Sequence, residues 1–348
     1  MPTPGTSAQR PIKQVHYLPI RYLIFFPPSH TLPPSAPSLT ARGRKTKREQ
    51  SMQQVGFIGV GAMGGAIAAC LLKKGVPVLA YDRNPAVLAA LQQKGATAAA
   101  SVREVVDQAE IVFACLPTVD ICKTVAFGPG GVAEGQKVKI YIETSTLGGA
   151  AAVEIAEGLA KHGITLLDTP VVGGTMAAEA GNLGVLTAGP AEAFERAKFA
   201  LEAFAGRLFY LGPNAGMGQA GKVVNNAVAY ACVLSTCEAV ALGLKAGLDM
   251  ETAVAIINQG SGANFFSQRV FPGYIMQNKF DGTGAIEIGL KDVKLFLEEA
   301  GRLHMQTPMA SAVSSLQKQI IDSGAPGRDT LTIFHYFTDL AGLPRFGS

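Results

Sequence analysis

Two groups of residues are spaced to do chemistry. Gly59-Val60-Gly61-Ala62-Met63-Gly64 is a G-x-G-x-x-G run. Between a strand and a helix, such a run brings bare backbone amides close to an anion. The helix N-terminus then attracts phosphate. Asp82 ends the next apolar run. An acid at about 20 residues from the glycines accepts hydrogen bonds from a ribose. The pattern reads as a dinucleotide site holding Gly59, Gly61, Ala62, Met63, Gly64 and Asp82. Asp82 repels a 2′-phosphate and favours NAD, while the adjacent Arg83 can pair with that phosphate and admit NADP. The alternative is a glycine turn beside an incidental surface acid.

The second group is Lys222 and Asn226, at i and i+4, which share one face of a helix. A lysine and an amide on a mostly apolar helix are costly unless they meet a ligand or partner. Burial lowers a lysine pKa toward values useful for proton transfer. A satisfied structural pair at a domain junction is the alternative.

These residues need a scaffold, and the order of elements supplies one. Gln54–Val60, Val76–Tyr81, Ile111–Leu116, Val138–Ile142 and Ile164–Asp168 are short apolar runs that read as buried strands. Between them, Ala62–Lys74 has helical periodicity and stops at Gly75. Asn84-Pro85 is a cap followed by proline at the first helical position. Ser101-Val102-Arg103-Glu104 is a capping box. The alternation predicts an α/β fold with a doubly wound parallel sheet. Near Gly212 the pattern changes. Lys222–Gly247 is one long apolar helix carrying Lys222, Asn225, Asn226, Glu238 and Lys245. Helices at Met250–Asn258, Gly289–Ala300 and Thr307–Ser323 follow. The expected organisation is a tail over 1–51, a dinucleotide-binding domain over 52–214 and an all-helical domain over 215–348. An apolar helix of this kind is expected to be buried between domains or subunits, which implies a homodimer or homotetramer.

The chain has 348 residues, 48% hydrophobic and 16% charged, with a net charge of +4. That is too apolar for a disordered protein and long enough for two cores. The positive charge is local. Residues 1–51 hold Arg10, Lys13, Arg21, Arg42, Arg44, Lys45, Lys47 and Arg48 against Glu49, a net +7 that leaves −3 for the rest. They also hold nine of the 20 prolines. The tail reads as a disordered basic arm, a targeting segment, or an over-extended reading frame whose translation starts at Met52. The expected location is cytoplasmic, with organelle targeting as the alternative. Neither nucleic acid nor membrane is an expected partner: the basic run lacks aromatic interleaving, and the long helix carries internal polar residues. Cys70, Cys115, Cys122, Cys232 and Cys237 form no CxxC, and His162, His304 and His335 are isolated. Reduced thiols and no metal site are therefore expected.

The order of motifs from 52 to 340 resembles the β-hydroxyacid dehydrogenases, a family that includes 3-hydroxyisobutyrate dehydrogenase and tartronate semialdehyde reductase. Gly59–Gly64, with Met63 before the last glycine, resembles the family's cofactor loop. Leu116-Pro117-Thr118 resembles the loop near the nicotinamide. Ser145-Thr146 resembles its Ser-Thr pair. Asp168-Thr169-Pro170-Val171-Val172-Gly173-Gly174 resembles the substrate loop. Lys222-x-x-Asn225-Asn226 resembles the catalytic helix, and Lys291-Asp292 the Lys-Asp pair. The resemblance implies hydride transfer between NAD(P) and a small 3-hydroxy acid or semialdehyde acid. It implies Lys222 as general acid/base and Gly173, Gly174, Asn226 and Ser145 at a carboxylate-bearing substrate. It places Leu116, Pro117, Thr146 and Lys291 beside the cofactor.

Two departures fall around the substrate. Val172 stands where the family has a serine. The Ser-Thr motif reads Glu143-Thr144-Ser145-Thr146-Leu147-Gly148-Gly149, without the family's proline. Asn264, Phe265 and Phe266 could shape the pocket or form ordinary helix-end core. Two alternatives remain: a reductase of another substrate, an imine or a polyhydroxy acid such as threonate, and a dinucleotide-binding module without turnover. Retained Lys222 favours alcohol chemistry.

Overall fold

The sheet explains where the glycine loop must sit. A computed structural model of the protein describes residues 53–324 and 329–346. The basic tail lies outside the described residues. Strands β1 (Val55–Ile58), β2 (Val78–Tyr81), β3 (Thr97–Ala98), β4 (Ile111–Ala114), β5 (Ile140–Glu143) and β6 (Thr165–Asp168) pair in parallel. Their order is β3-β2-β1-β4-β5-β6. Strands covered on both faces read as continuous apolar runs, which is why β1, β4 and β5 were visible in the sequence. The order reverses between β1 and β4. Ligands bind in the crevice beyond the carboxyl ends of strands at such a point. The glycine loop leaves β1 there.

Helices α1 (Ala62–Lys73), α2 (Pro85–Gln92), α3 (Val102–Gln108), α4 (Val119–Phe127) and α5 (Gly149–Ala160) connect the strands. Their starts follow local rules. The Asn84 side chain accepts from Ala86 N at 3.0 Å ahead of Pro85. Ser101 Oγ accepts from Glu104 N at 3.2 Å, while Glu104 reaches back to Ala100 N at 2.7 Å. Phe57 and Phe113 stack at 5.6 Å in the core between β1 and β4, with Phe204 edge-on to Phe113.

A second sheet was not foreseen. β7 (Val171–Val172), β8 (Leu183–Thr187) and β9 (Ala205–Tyr210) make three strands, antiparallel for β7 and β8 and parallel for β8 and β9. Between them lie α6 (Gly174–Glu179) and α7 (Ala191–Leu201). β7 has two residues and β9 is partly exposed, so neither carries a strong apolar signature. An isolated bridge, Asp168 with Ala188, joins the second sheet to β6.

The chain then turns helical: α8 (Met217–Lys245), α9 (Met250–Gln259), α10 (Ile286–Arg302), α11 (Pro308–Asp322) and α12 (Ile333–Leu340). No strand follows α8 among the described residues. Val233, Cys237 and Val240 of α8 share a core with Phe271, Val293, Val313 and Phe334. Phe271 meets Phe266 and Phe334 edge-on. The sheets and helices form one compact unit. The long helix α8 was expected to be buried between domains or subunits. Within a single chain it is not buried all round: Val224 is 57%, Val228 62% and Leu242 70% exposed. The other helices cover one side of it and leave an apolar stripe on the other. By length and composition alone it is apolar enough to cross a membrane.

Its first turn presses hard on the sheets. A Cβ at Gly218 would lie 2.6 Å from Asp168 O and 2.8 Å from Leu186 O, both backbone atoms. Gly218→Ala should therefore destabilise the protein by about 1–3 kcal/mol through overpacking, although alanine is the better helix former. Urea unfolding decides the sign, and a stabilised variant would refute this packing.

Candidate functional site

The three glycines of the loop have three different jobs. Gly59 has φ +85°, and a Cβ there would lie 2.4 Å from Cys115 O. A Cβ at Gly64 would lie 2.1 Å from Gly59 O, so only glycine lets α1 cross β1 so closely. At Gly61 a Cβ would meet nothing within 4 Å. It would project into the open space where a pyrophosphate has to approach. Gly61 is the N-cap of α1 and offers no side-chain cap, so the exposed first turn at Ala62 keeps its amides for a ligand. Met63 packs against the sheet core behind them. Asp82 directly follows β2 and ties the loop in place: its Oδ2 accepts from Val60 N at 2.7 Å and its Oδ1 from Asn84 N at 2.8 Å. Each oxygen keeps a lone pair for a ribose hydroxyl. Arg83 beside it is exposed. The residues present fit a dinucleotide.

Lys222 and Asn226 do share one face of α8, and they face a cluster. Lys222 Nζ donates to Val171 O at 2.7 Å. Burial pushes the Lys222 amine below its ordinary 10.5; Asp292 opposes that shift, and Lys291 adds to it. Asn226 Nδ2 donates to Asp292 Oδ2 at 2.7 Å and its Oδ1 accepts from Asn225 Nδ2 at 2.9 Å. Lys291 Nζ lies 3.1 Å from Asp292 Oδ1 and donates to Thr146 O at 2.7 Å. Two ammonium groups, one buried carboxylate and one amide thus converge beside the Thr146 loop. Asp292 is only 4% exposed and compensates both lysines. Two cations and one anion form a centre that attracts an anion.

Behind this face lies a second, fully buried layer. Ser145 is buried, and its Oγ accepts from Leu116 N at 2.7 Å. The hydroxyl pins the Leu116-Pro117 loop to β5, and Pro117 is exposed at the rim. Glu143, 1% exposed, accepts from Ser145 N at 3.0 Å and from Tyr141 Oη at 3.2 Å. Burial raises its pKa to about 7, partly offset by hydrogen bonds from Ser145, Tyr141 and Cys122. Asp168 is likewise buried. It accepts from Gly216 N at 2.9 Å, Gln219 N at 3.1 Å and Gln219 Nε2 at 2.8 Å. Gln219 was not singled out in the sequence, and Glu143 was named only as the start of the Ser-Thr motif.

Gly173 and Gly174 follow Val171, the partner of Lys222, and both are exposed. Their φ values of +127° and +74° favour glycine, and no Cβ could sit at Gly173 without meeting Ala177 Cβ at 2.8 Å. Asn264 and Phe266 take the structural role. Asn264 caps a turn through Ser267 and reaches Thr236 Oγ1 at 3.1 Å, while Phe266 enters the helical core. Phe265 points outward. The cysteines are free, and no metal-ligating cluster occurs among the described residues.

A glycine cradle at the switch point, with a half-buried lysine on the long helix, fits an NAD(P)-dependent oxidoreductase. Comparison with known proteins agrees. Residues 54–212 match the NAD binding domain of 6-phosphogluconate dehydrogenase, and 216–337 the NAD-binding domain of NADP-dependent 3-hydroxyisobutyrate dehydrogenase. The chain is 34% identical to 2-(hydroxymethyl)glutarate dehydrogenase of Eubacterium barkeri over 78% of its length and 89% of the relative's. It is 34% identical to 3-hydroxyisobutyrate dehydrogenase of Pseudomonas aeruginosa over 76% and 91%. The crystal structure of 3-hydroxyisobutyrate dehydrogenase from Salmonella typhimurium superposes with a TM-score of 0.75 at 26% identity, covering 82% of this chain and 99% of that one. The chain belongs to the β-hydroxyacid dehydrogenase family and is an NAD(P)-dependent enzyme acting on CH–OH groups.

Glu143 gives this site a measurable pH signature. Its folded pKa of about 7 exceeds the ordinary 4.5, so the folded state holds the proton more tightly. Stability contributed by the protonated group is full below about 4.5 and is lost as pH rises through about 7. Glu143→Gln removes that slope. Relative to the variant, the wild type should lose on the order of 3 kcal/mol between acid and mildly alkaline pH. Parallel pH profiles of the urea midpoint would contradict the assignment.

Proposed function

We propose that the protein oxidises a small 3-hydroxy acid to its semialdehyde acid, and catalyses the reverse reduction, with Lys222 exchanging the hydroxyl proton. The observation that carries this reading is the amine of Lys222. It donates to Val171 O beside the Val171-Val172-Gly173-Gly174 strand end, is half-buried, and has its pKa lowered by desolvation. Both named relatives act on acids with a primary hydroxyl.

A bound NAD(P) supplies the hydride acceptor or donor. Lys222 takes the hydroxyl proton as the carbinol carbon is oxidised, and returns it in reduction. A pKa lowered from 10.5 makes the neutral amine more accessible as the proton acceptor. Asn226, fixed by Asp292 and Asn225, orients the reacting oxygen. The exposed backbone of Gly173-Gly174 receives the carboxylate. Val172 offers no hydroxyl there, so the acid is held by backbone amides and the cluster's positive charge. Asp82, with a lone pair left on each oxygen, favours NAD over NADP. The exposed stripe of Val224, Val228 and Leu242 supports pairing with a second copy of the chain as a homodimer or higher oligomer.

The test is a panel of 3-hydroxyisobutyrate, 2-(hydroxymethyl)glutarate and threonate with NAD and with NADP. Oxidation of 3-hydroxyisobutyrate or 2-(hydroxymethyl)glutarate is expected, and activity on threonate alone or on none of the three would refute the reading. Lys222→Ala should lower kcat by roughly 10²–10⁴-fold without weakening NADH binding, measured by fluorescence titration. Normal turnover in that variant would remove Lys222 from the chemistry. Asp82→Ser should weaken NAD relative to NADP by roughly tenfold or more, the worth of a charged hydrogen bond. An unchanged coenzyme ratio would exclude Asp82 from the ribose.

A further inference from the structure

Gln219 is fully buried one turn before Lys222, and each of its polar side-chain atoms is doubly used. Its Oε1 accepts from Leu147 N at 2.9 Å and Gly148 N at 3.2 Å. Its Nε2 donates to Ser145 O at 3.0 Å and to Asp168 Oδ1 at 2.8 Å. One carboxamide therefore joins the 145–148 loop, the end of β6 and the first turn of α8. Each of these carries part of the site. The loop holds Thr146, whose carbonyl receives Lys291. The chain beyond β6 supplies Val171 O to Lys222. The helix supplies Lys222 itself. No other side chain type offers two acceptor and two donor sites in this planar arrangement at this length.

We infer that Gln219 is a positioning residue for the reaction proposed above: its carboxamide fixes Lys222 against the Ser145-Thr146 loop and so sets the distance between the proton-transfer amine and the bound substrate. The inference rests on that reading for its catalytic meaning, but the clamp has a readout of its own. A helix start free to slide by about 1 Å would cost turnover roughly 100-fold. It would leave the glycine cradle on β1 and α1 untouched.

Two variants separate positioning from mere support. Gln219→Leu removes all four hydrogen bonds at similar volume. Its kcat should fall roughly 100-fold, with faster hydrogen exchange at the Leu147 and Gly148 amides. Gln219→Glu keeps an acceptor for those two amides but turns an oxygen toward Ser145 O and Asp168 Oδ1. A shared proton would restore the lost donor. The titratable groups around this point are Asp168 on β6, Glu143 beside it in the sheet register, Lys222 one turn along α8, and Lys291 of α10 on Thr146 O. The activity of the Glu variant, expressed relative to wild type at each pH, should therefore rise as pH falls. Unchanged kcat in Gln219→Leu overturns the proposal. So does a Glu variant whose relative activity is independent of pH, or failure of both variants to fold at any pH, which would make Gln219 a folding requirement only. If the wild type turns over no hydroxy acid, the proposed reaction fails. In that case exchange at Leu147 and Gly148 alone judges the clamp, and equal rates in wild type and Gln219→Leu reject it.

Discussion

A carboxylate at the end of one strand caps a helix that begins far along the chain. Asp168 closes β6 and takes the amides of Gly216 and Gln219, the N-cap and third residue of α8. The N-cap, Gly216, has no side chain to do this, so the cap comes from the sheet. Burying a carboxylate is expensive, and its pKa rises to about 6 for that reason, with hydrogen bonds from Gln219, Gly216 and Gly218 limiting the cost. The positive end of a 29-residue helix helps hold the charge. The same contact fixes where the helical layer leaves the sheets, and with it the register of Lys222 and Asn226.

The lysine faces the same problem with opposite sign. Burial favours its neutral form, and Lys291 adds to that pressure. Asp292 opposes both and favours the charged amine. The net result is an amine whose pKa lies below its ordinary 10.5, the direction a proton carrier requires. Breaking one member of such a buried charge group leaves the others uncompensated. Asn226 is part of the same balance, since it gives one of its two amide hydrogens to Asp292.

Much of this was legible in the sequence, for physical reasons. Buried parallel strands are short apolar runs, and the glycine loop, Asn84-Pro85 and Ser101–Glu104 obey local geometry that needs no tertiary context. The i, i+4 spacing of Lys222 and Asn226 predicted a shared face, and they share one. What could not be read depended on distant contacts. β7 has two residues and β9 little apolar pattern, so the second sheet had no periodic signal. Ser145 looked like a group facing substrate, whereas its hydroxyl is spent on Leu116 N behind the site. Gln219 and Glu143 gain their meaning only when β5, β6 and α8 converge. The long helix is apolar all round, but a single chain covers only one side of it.

The central claim is that a desolvated Lys222, tuned by Asp292, carries the proton. The most direct measurement is the pH dependence of kcat/KM for hydroxy-acid oxidation by the wild type and by Asp292→Asn. The account predicts a limb that rises with pH through one group titrating below 10.5. In Asp292→Asn that limb should move to lower pH, because the carboxylate that holds the charged amine is gone. A flat profile in the wild type, or a limb that stays in place when Asp292 is neutralised, would contradict it.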